Sequence, residues 1–174
     1  GTGKTLAFTV PIIQRLSQTK GRALIILPTR ELALQVEETV QRVGRAMGIR
    51  TAVLMGGASM YMQIQKLRQN PQVIIATPGR LLDHMQQRTI RLNDVKILVL
   101  DEADRMLDMG FINDIRKILA LLPKSRQSLL FSATFSDEVK GLASGFLNAP
   151  KTIETARVNT PAELVSQTIY PVDS

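Results

Sequence analysis

Residues 97–107 read "ILVLDEADRML", in which four aliphatic residues at 97–100 lead directly into a cluster of three carboxylates. Two such charges about 4 Å apart repel by roughly 4 kcal/mol at an effective dielectric constant of about 20. A helix N-terminus returns only ~0.3–1 kcal/mol for each acidic side chain. Helix capping therefore explains Asp101, Glu102 and Asp104 poorly, whereas a bound divalent cation explains them well.

Four other aliphatic runs share the character of residues 97–100, being short, continuously apolar and rich in branched side chains. They are "ALIIL" at 23–27, "AVLM" at 52–55, "VIIA" at 73–76 and "SLLF" at 128–131. Such runs are typical of strands that are buried on both faces of a sheet. Segments with helical periodicity separate them, and this alternation predicts an α/β fold with a mostly parallel sheet and helices on both faces.

Four amphipathic helices are predicted from apolar stripes along the intervening segments. The stripes consist of Leu32, Val36, Val40 and Val43; Met60, Ile64 and Leu67; Ile112, Ile115, Ile118 and Leu122; and Val139, Leu142, Ala143 and Phe146. Ser136 can cap the last of these helices, and Pro11 is expected to kink or interrupt a further helical stretch at 6–16. The periodicity fades after 148–150, and "VSQTIYPVDS" at 165–174 indicates one more short strand.

A polar or glycine-bearing segment follows each of the five predicted strands. In chain order these segments are "PTRE" at 28–31, "GG" at 56–57, "TPGR" at 77–80, "DEAD" at 101–104 and "SAT" at 132–134. Parallel strands end on the same edge of a sheet, and open α/β sheets bind ligands outside those carboxyl ends. We therefore expect the five segments, although far apart in sequence, to meet along one edge, which we call the rim.

The charge balance favours a polyanionic partner. Lys and Arg number 22 against 15 Asp and Glu, which gives the chain a net charge of +7. Nucleic acid is the first candidate for such a partner, and a basic but functionally neutral surface is the alternative. Aromatic residues make up 4% of the chain and Trp is absent. Contact is therefore expected with the sugar-phosphate backbone, independently of base sequence, rather than through base stacking.

Composition also excludes several kinds of site. The sequence has no Cys, which excludes disulfides, zinc–thiolate sites and cysteine nucleophiles. No stretch approaches the ~20 apolar residues of a membrane-spanning helix, and no signal peptide opens the sequence. We therefore expect a reducing, cytoplasmic location and no membrane partner.

The chain opens with "GTGKT", which matches the C-terminal half of a phosphate-binding loop. The candidate ATP ligands are its residues Gly1, Thr2, Gly3, Lys4 and Thr5. Glycines let backbone N–H groups close on phosphate oxygens, while Lys4 would reach the β- and γ-phosphates and Thr5 would ligate Mg²⁺. The alternative is a flexible Gly/Thr/Lys stretch. Combined with an acid cluster after a strand, the motif supplies the second half of an NTP·Mg²⁺ site.

The acid cluster supplies further candidate catalytic groups. Asp101 would hold Mg²⁺ through water, and Glu102 could orient or deprotonate the attacking water. Ser132 and Thr134 on the same rim could hydrogen-bond Asp104 and sense the nucleotide. The alternatives are an exposed acidic turn for "DEAD" and a small-residue turn between strand and helix for "SAT".

The segments "PTRELA" and "TPGR" each offer a helix start and one arginine, Arg30 or Arg80. A helix N-terminus with a neighbouring arginine suits a phosphodiester backbone, and a capped helix with a solvated arginine is the alternative. The pair Gly56–Gly57 either turns the chain or allows close approach of a sugar-phosphate strand. His84 is the sole histidine, and without a neighbouring ligand set it is expected at the surface or on a helix face.

Together, the motifs resemble those of a known family. Their order and spacing closely resemble those of the first RecA-like domain of DEAD-box RNA helicases. The motifs that carry the resemblance are "GTGKT", "PTRELA", "GG", "TPGR", "DEADRMLDMGF" and "SAT". The resemblance covers essentially the whole chain, and the wording at 77–90, 101–123 and 129–139 is most similar to the bacterial RhlE group. The resemblance implies a RecA-like P-loop NTPase domain that couples ATP hydrolysis to local unwinding or remodelling of RNA.

The resemblance also assigns a role to each candidate residue. It implies that Lys4, Thr5, Asp101 and Glu102 serve ATP and Mg²⁺, and that Asp104, Ser132 and Thr134 link hydrolysis to unwinding. The RNA backbone path would be lined by Pro28, Thr29, Arg30, Gly57, Thr77, Gly79 and Arg80.

The same resemblance predicts how the chain is divided. Residues 1–155 would form the ATP-binding domain without its first strand and its adenine-reading Q motif. Residues 156–174 would be the last strand and the start of a connection to a second RecA-like domain, which supplies arginine fingers and the other half of the RNA groove. An arginine finger raises the rate of hydrolysis by ~10³–10⁵-fold. Residues 1–174 alone are therefore expected to be close to inert. Partners in ribosome assembly or RNA degradation are also implied.

Two other functions stay open on the sequence. A translocase acting on DNA would share the sheet and the phosphate loop, although "DEAD" with "SAT" and "PTRELA" favours RNA. A non-catalytic module could use the basic rim as a platform for RNA or protein, although such a module would not need Lys4, Thr5, Asp101 and Glu102 together.

Overall fold

The computed structural model of the protein describes residues 2–146, 153–157 and 165–169. The helices are α1 (Thr2–Gln18), α2 (Arg30–Gly44), α3 (Met60–Leu67), α4 (Pro78–Gln86), α5 (Ala103–Asp108), α6 (Ile112–Ala120) and α7 (Asp137–Phe146), with one turn of 3₁₀-helix at Arg45–Met47. The strands are β1 (Arg22–Ile26), β2 (Thr51–Leu54), β3 (Val73–Ala76), β4 (Val95–Leu100), β5 (Gln127–Ser132), β6 (Ile153–Arg157) and β7 (Val165–Ile169).

The strands form one sheet in the order β2-β3-β1-β4-β5-β6-β7. Every pair from β2 to β6 is parallel, and only β6 and β7 pair antiparallel. In the centre of the sheet, Leu24 of β1 lies between Ile74 of β3 and Leu98 of β4. The predicted α/β fold with a mostly parallel sheet is confirmed.

Both faces of the sheet are buried, as the continuously apolar strands require. On one face, Ile25, Ile75 and Val99 pack with apolar residues of α1 and α2. On the other face, Leu24, Ile74 and Leu98 pack with residues of α3 to α7. Successive side chains of a strand point to opposite faces, so each central strand contributes to both cores. The two cores hold the carboxyl ends of β1 to β5 in a fixed order.

The first helix differs from the sequence-based prediction. Helix α1 runs from Thr2 to Gln18 with Pro11 inside it, so of the two predicted effects, a kink or an interruption, the interruption is wrong. A proline inside a helix costs about 3 kcal/mol, but Phe8 and Ile12 on either side of it are fully buried. The Phe8 ring lies 5.4 Å from that of Phe131, and this packing keeps the helix against the sheet.

The C-terminal part of the chain contains one strand that periodicity did not predict. Strand β6 pairs with β5, and β7, which was predicted, pairs with β6. The predicted domain boundary between residues 155 and 156 falls within β6 and stays a prediction. No helix in the described part of the chain is both long and apolar enough to cross a membrane.

Candidate functional site

The topology divides the rim into two halves. The segments after β1, β2 and β3 lie on one side, since these strands are neighbours in the order β2-β3-β1. The segments after β4 and β5 lie on the other side. After β1 the chain forms β2 at the edge of the sheet and then β3 between β2 and β1, and only then adds β4 on the opposite side of β1. The direction in which strands are added therefore reverses between β1 and β4. Such a switch point opens a crevice that binds ligands in α/β proteins.

Lys4 and the acid pair meet at the carboxyl end of β4. The Lys4 ammonium lies 3.0 Å from Asp101 Oδ1 and donates a hydrogen bond of 2.7 Å to Glu102 Oε2. Lys4 is 8% exposed and Asp101 1% exposed, whereas the Glu102 side chain is 32% exposed. Residues 97 positions apart in sequence therefore form one compact charged cluster, with Glu102 on its open side.

The backbone at Glu102 creates this arrangement. Glu102 has φ 57° and ψ 47°, the left-handed conformation, immediately before α5. A non-glycine residue in that region costs on the order of 1–3 kcal/mol. The Asp101 carboxylate accepts a hydrogen bond of 2.9 Å from the Glu102 N–H, and the Asp101 N–H donates to Ile26 of the neighbouring strand. These bonds turn the two acids in different directions, so that both reach Lys4.

The charges of the cluster depend on one another. Burial lowers the pKa of the Lys4 amine, but the Asp101 and Glu102 carboxylates outweigh burial and hold that pKa above its ordinary value of 10.5. Burial also raises the pKa of the Asp101 carboxyl above 3.8, against the opposing effect of the Lys4 ammonium. A buried carboxylate is strongly destabilised without a neighbouring cation. The site therefore favours a positive charge beside Asp101.

A cavity of about 390 Å³ opens beside this cluster and is lined by Lys4, Thr5, Asp101 and side chains of α2. A slightly larger cavity, about 410 Å³, lies between α6 and α7 and is lined in part by Arg116, Lys124 and Arg126. Among the described residues, none of those that line this second cavity is acidic. The chemistry of the lining, rather than cavity volume, therefore identifies the site at Lys4.

The donors at this cavity fit Mg²⁺. Thr5 and Asp101 offer a hydroxyl and a carboxylate, and oxygen donors are the ligands that Mg²⁺ prefers. Within the described residues, no three acidic or histidine side chains are grouped closely enough to hold a metal alone. Mg²⁺ usually binds through one or two carboxylates together with substrate phosphates. The donor set therefore suits Mg²⁺ that arrives with a nucleotide.

The coupling residues predicted from sequence also lie together. The Asp104 N–H donates to Ser132 Oγ at 3.3 Å, and the Thr134 hydroxyl lies 3.5 Å from Asp104 Oδ2, at the outer limit of hydrogen bonding. Ser132 also accepts from the Thr134 N–H at 3.5 Å. Ser132 is buried and Thr134 exposed. The ends of β4 and β5 are thus linked beside the acid pair.

On the other half of the rim, Arg30 lies against Gly57. Thr29 caps α2 by accepting from the Leu32 N–H at 3.3 Å, which leaves Arg30 exposed at the start of the helix. Gly57 has φ 80°, and a Cβ atom at this position would lie 2.8 Å from Arg30 Nη1. The segments after β1 and β2 therefore meet at a glycine in the left-handed region, where a Cβ atom would displace the end of the Arg30 side chain.

Arg80 is held by the segment after β2. Its Nη1 donates to the Ala58 carbonyl at 2.8 Å and to Gln63 Oε1 at 3.2 Å. Its Nε lies 3.7 Å from Asp83 Oδ2. The Arg80 side chain is 15% exposed, so it is a partly buried, oriented group rather than a freely solvated arginine.

The other predicted site residues differ in accessibility. Pro28 and Thr77 are buried, and Gly79 lies in the first turn of α4. Gly3 lies in the first turn of α1 with open space around its α-carbon. Thr2 begins α1, and Gly1 lies outside the described residues.

Two residues of the rim were missed or misplaced by sequence reasoning. His84 is fully buried in α4, so of its two predicted positions the surface is wrong and a helix face is confirmed. It lies on the inner side of α4, where Gln63 and Thr89 hydrogen-bond its two ring nitrogens. Gln63 is itself buried. A glutamine in an otherwise apolar helical stripe, four residues before Leu67, was the only available signal for this contact.

Comparison with known proteins agrees with the motifs. A family model described as DEAD/DEAH box helicase matches residues 1–142. The ATP-dependent RNA helicase CshA of Limosilactobacillus reuteri is 45% identical over 169 residues, which are 96% of this chain and 34% of that protein. The DEAD-box ATP-dependent RNA helicase CshA of Bacillus subtilis is 45% identical over 156 residues, 88% of this chain and 32% of that protein. The chain thus spans about a third of the length of these curated relatives.

Solved structures show the same fold. The crystal structure of a DEAD box protein from Methanococcus jannaschii is 40% identical with a TM-score of 0.81, covering 87% of this chain and 42% of that one. A hypothetical ATP-dependent RNA helicase from Sulfolobus tokodaii is 39% identical with a TM-score of 0.79, covering 88% and 45%. The fold is therefore that of a RecA-like domain, and the chain belongs to the DEAD/DEAH box helicase family.

Proposed function

We propose that the chain is the N-terminal ATP-binding domain of an ATP-dependent RNA helicase, which couples ATP hydrolysis to local unwinding or remodelling of RNA. The observation that carries this proposal is the position of Lys4 between Asp101 and Glu102 at the carboxyl end of β4. A platform that only binds RNA or protein has no need of a buried ammonium and two carboxylates beside a cavity.

The cluster is suited to phosphoryl transfer. Lys4 pairs with both acids, and its ammonium would transfer part of this pairing to the β- and γ-phosphates of ATP. Thr5 and Asp101 would hold Mg²⁺, which neutralises charge on the phosphate oxygens when bound. Glu102, the more exposed acid, would orient the attacking water and accept its proton.

The second half of the rim is suited to the RNA backbone. Arg30 is exposed at a helix start, and Arg80 is oriented by its neighbours. Helix N-termini and arginines bind phosphate without reading bases. Pro28, Thr29, Gly57, Thr77 and Gly79 would shape this path. Asp104, Ser132 and Thr134 would carry the state of the nucleotide from β4 to β5.

The finer features of the proposal depend on the family resemblance. They are a second RecA-like domain in the intact protein, partners in ribosome assembly or RNA degradation, and a cytoplasmic location. The division into residues 1–155 and 156–174 has the same basis. Membership of the RhlE group is likewise a proposal, since the relatives described above are named CshA. A phylogeny of full-length sequences would test the group.

The test is ATP turnover by the intact protein with RNA and with DNA of the same base sequence. We expect RNA to stimulate turnover more than DNA does. We expect Glu102→Gln to reduce turnover by roughly two to four orders of magnitude, the usual contribution of general base catalysis. ATP-dependent retention of RNA by this variant should persist, because Gln keeps the size of the side chain.

Each competing function gives a different result. Stronger stimulation by DNA would support the DNA translocase instead. Turnover unchanged in Glu102→Gln would remove Glu102 from its catalytic role. An intact protein without any ATP turnover, with RNA bound as before, would support the non-catalytic module.

A further inference from the structure

A single buried amide connects two segments of the rim. Gln63 on α3 is 5% exposed. Its Nε2 donates to the Met55 carbonyl at 2.9 Å, in the segment after β2. Its Oε1 accepts from Arg80 Nη1 at 3.2 Å and lies 2.8 Å from His84 Nε2, both in α4 after β3. Burying an amide is unfavourable unless it is hydrogen-bonded, and these contacts satisfy it.

The partners fix the orientation of this amide. An arginine can only donate and a carbonyl can only accept, so Oε1 must face Arg80 and the NH₂ group must face Met55. The ring nitrogen of His84 that contacts Oε1 must then carry a hydrogen. The other ring nitrogen lies 2.7 Å from the Thr89 hydroxyl, whose single hydrogen is shared between that nitrogen and the His84 carbonyl oxygen 3.0 Å away. The orientation of the Gln63 amide is therefore fixed by its partners, and the His84 nitrogen that faces it is the protonated one.

This arrangement restricts Arg80. The Gln63 amide and the Ala58 carbonyl share the Nη1 group, and His84 contacts the same amide oxygen. A flexible arginine side chain loses rotamer entropy when it is immobilised. A group that is already immobilised before it binds avoids most of that cost at the moment of binding.

We propose that Gln63 and His84 are positioning residues for RNA binding, which hold Arg80 and the segment after β2 in a single arrangement before RNA arrives. This inference rests on the proposed function, in which Arg80 contacts the phosphate backbone. Neither residue touches RNA itself. Gln63 acts through Arg80 and Met55, and His84 acts through Gln63.

The experiment measures RNA affinity of the intact protein with a single-stranded RNA in a double-mutant cycle. Gln63→Leu removes the amide while keeping its bulk and should weaken RNA binding roughly tenfold, since a hydrogen bond to a charged group is lost. Arg80→Ala should weaken binding at least as much. In the Arg80→Ala background, Gln63→Leu should change RNA affinity by less than about twofold, because the group that it positions is gone.

Variants of His84 provide a second measurement that does not depend on the folding of Gln63→Leu. His84→Leu removes the donor to Gln63 and should weaken RNA binding severalfold. His84→Gln places an amide N–H near the position of Nε2 and should restore most of the affinity. ATP affinity, which the proposed function assigns to the Lys4 cluster, should be unchanged in both, because the partners of His84 are Gln63 and Thr89. If His84 only stabilised the fold, the two variants would differ in their free energy of unfolding but not in RNA affinity.

The outcomes separate this inference from the function on which it rests. Unchanged RNA affinity in Arg80→Ala would overturn the assignment of Arg80, and the positioning role with it. Weakened binding in Arg80→Ala together with wild-type affinity in Gln63→Leu would overturn only the positioning role. So would equal losses from Gln63→Leu in both backgrounds, or equal affinities of His84→Leu and His84→Gln.

Discussion

At the scale of single residues, the site depends on backbone conformations as much as on residue types. The acid cluster could be recognised from the amino-acid sequence, but the direction of each carboxylate could not. Glu102 reaches Lys4 because its backbone is left-handed, and Asp101 reaches it from the regular end of β4. Two adjacent acids therefore take different positions around one cation, as the proposed division between metal binding and water activation requires.

Gly57 provides a prediction at this scale. Gly57→Ala should destabilise the protein by about 1–2 kcal/mol, since the left-handed conformation is unfavourable for residues with a Cβ atom. It should also weaken RNA binding, because the new methyl group would displace Arg30, whose Nη1 would lie 2.8 Å away. Chemical denaturation and RNA affinity measure the two effects.

The adjacent glycine provides the matched control. A Cβ atom at Gly56 meets no atom within 4 Å, so Gly56→Ala should leave both the free energy of unfolding and RNA affinity nearly unchanged. Equal effects of the two substitutions would contradict the specific contact between Gly57 and Arg30.

At the scale of elements, the helices carry the rim residues and their packing decides which of these residues are accessible. Ser59 and Ser136 cap α3 and α7 through hydrogen bonds to Met62 N–H and Val139 N–H, and the cap at Ser136 was predicted. Thr77 precedes α4 without a side-chain cap hydrogen bond. Helix α4 instead starts with Pro78, whose missing N–H suits the first turn, and Arg80 and His84 follow one turn apart.

The burial of His84 in α4 predicts a pH dependence of stability. Burial, and then the nearby Arg80 charge, lower the pKa of His84 below 6.5, although Asp83 opposes the shift. The unfolded chain therefore binds a proton more readily than the folded protein does. The stabilising contribution is complete above about pH 6.5 and should be lost as the pH falls toward the lower, folded-state pKa.

Denaturation between about pH 7.5 and 5.5 measures this effect, with His84→Gln as the variant that cannot titrate in this range. The wild type should lose more stability than His84→Gln as the pH falls. Contributions from Asp101 and the other carboxyl groups are common to both proteins and cancel in the difference. Parallel curves for the two proteins would show that His84 is not buried as a neutral group.

At the scale of the whole molecule, the strand order separates two tasks along one edge. The Lys4 cluster lies after β4, and the predicted RNA-contacting segments lie after β1, β2 and β3. The crevice between β1 and β4 is where the two halves adjoin, and α2 lines the cavity beside Lys4 while its first residue, Arg30, lies against Gly57 on the other half. A change at the proposed nucleotide site would therefore have a short path to the predicted RNA-contacting segments.

The proposed second RecA-like domain predicts a large difference between the isolated chain and the intact protein. Residues 1–174 alone should show RNA-stimulated ATP turnover lower by roughly 10³–10⁵, the usual contribution of an arginine finger. Turnover measured for both proteins under the same conditions tests this. Comparable rates would show that the described site is sufficient for catalysis and would remove the need for groups from another domain.

The sequence alone determined the alternation of strands and helices and the convergence of five polar segments on one rim, because both follow from hydrophobic periodicity and from the geometry of a parallel sheet. The continuity of α1 through Pro11, the burial of His84 and the amide of Gln63 were decided only by tertiary structure. Each depends on contacts with residues distant in sequence, namely Phe131 for α1 and Met55 and Arg80 for the amide. Local patterns carry no information about such partners, whose packing and hydrogen bonds outweigh the local preference.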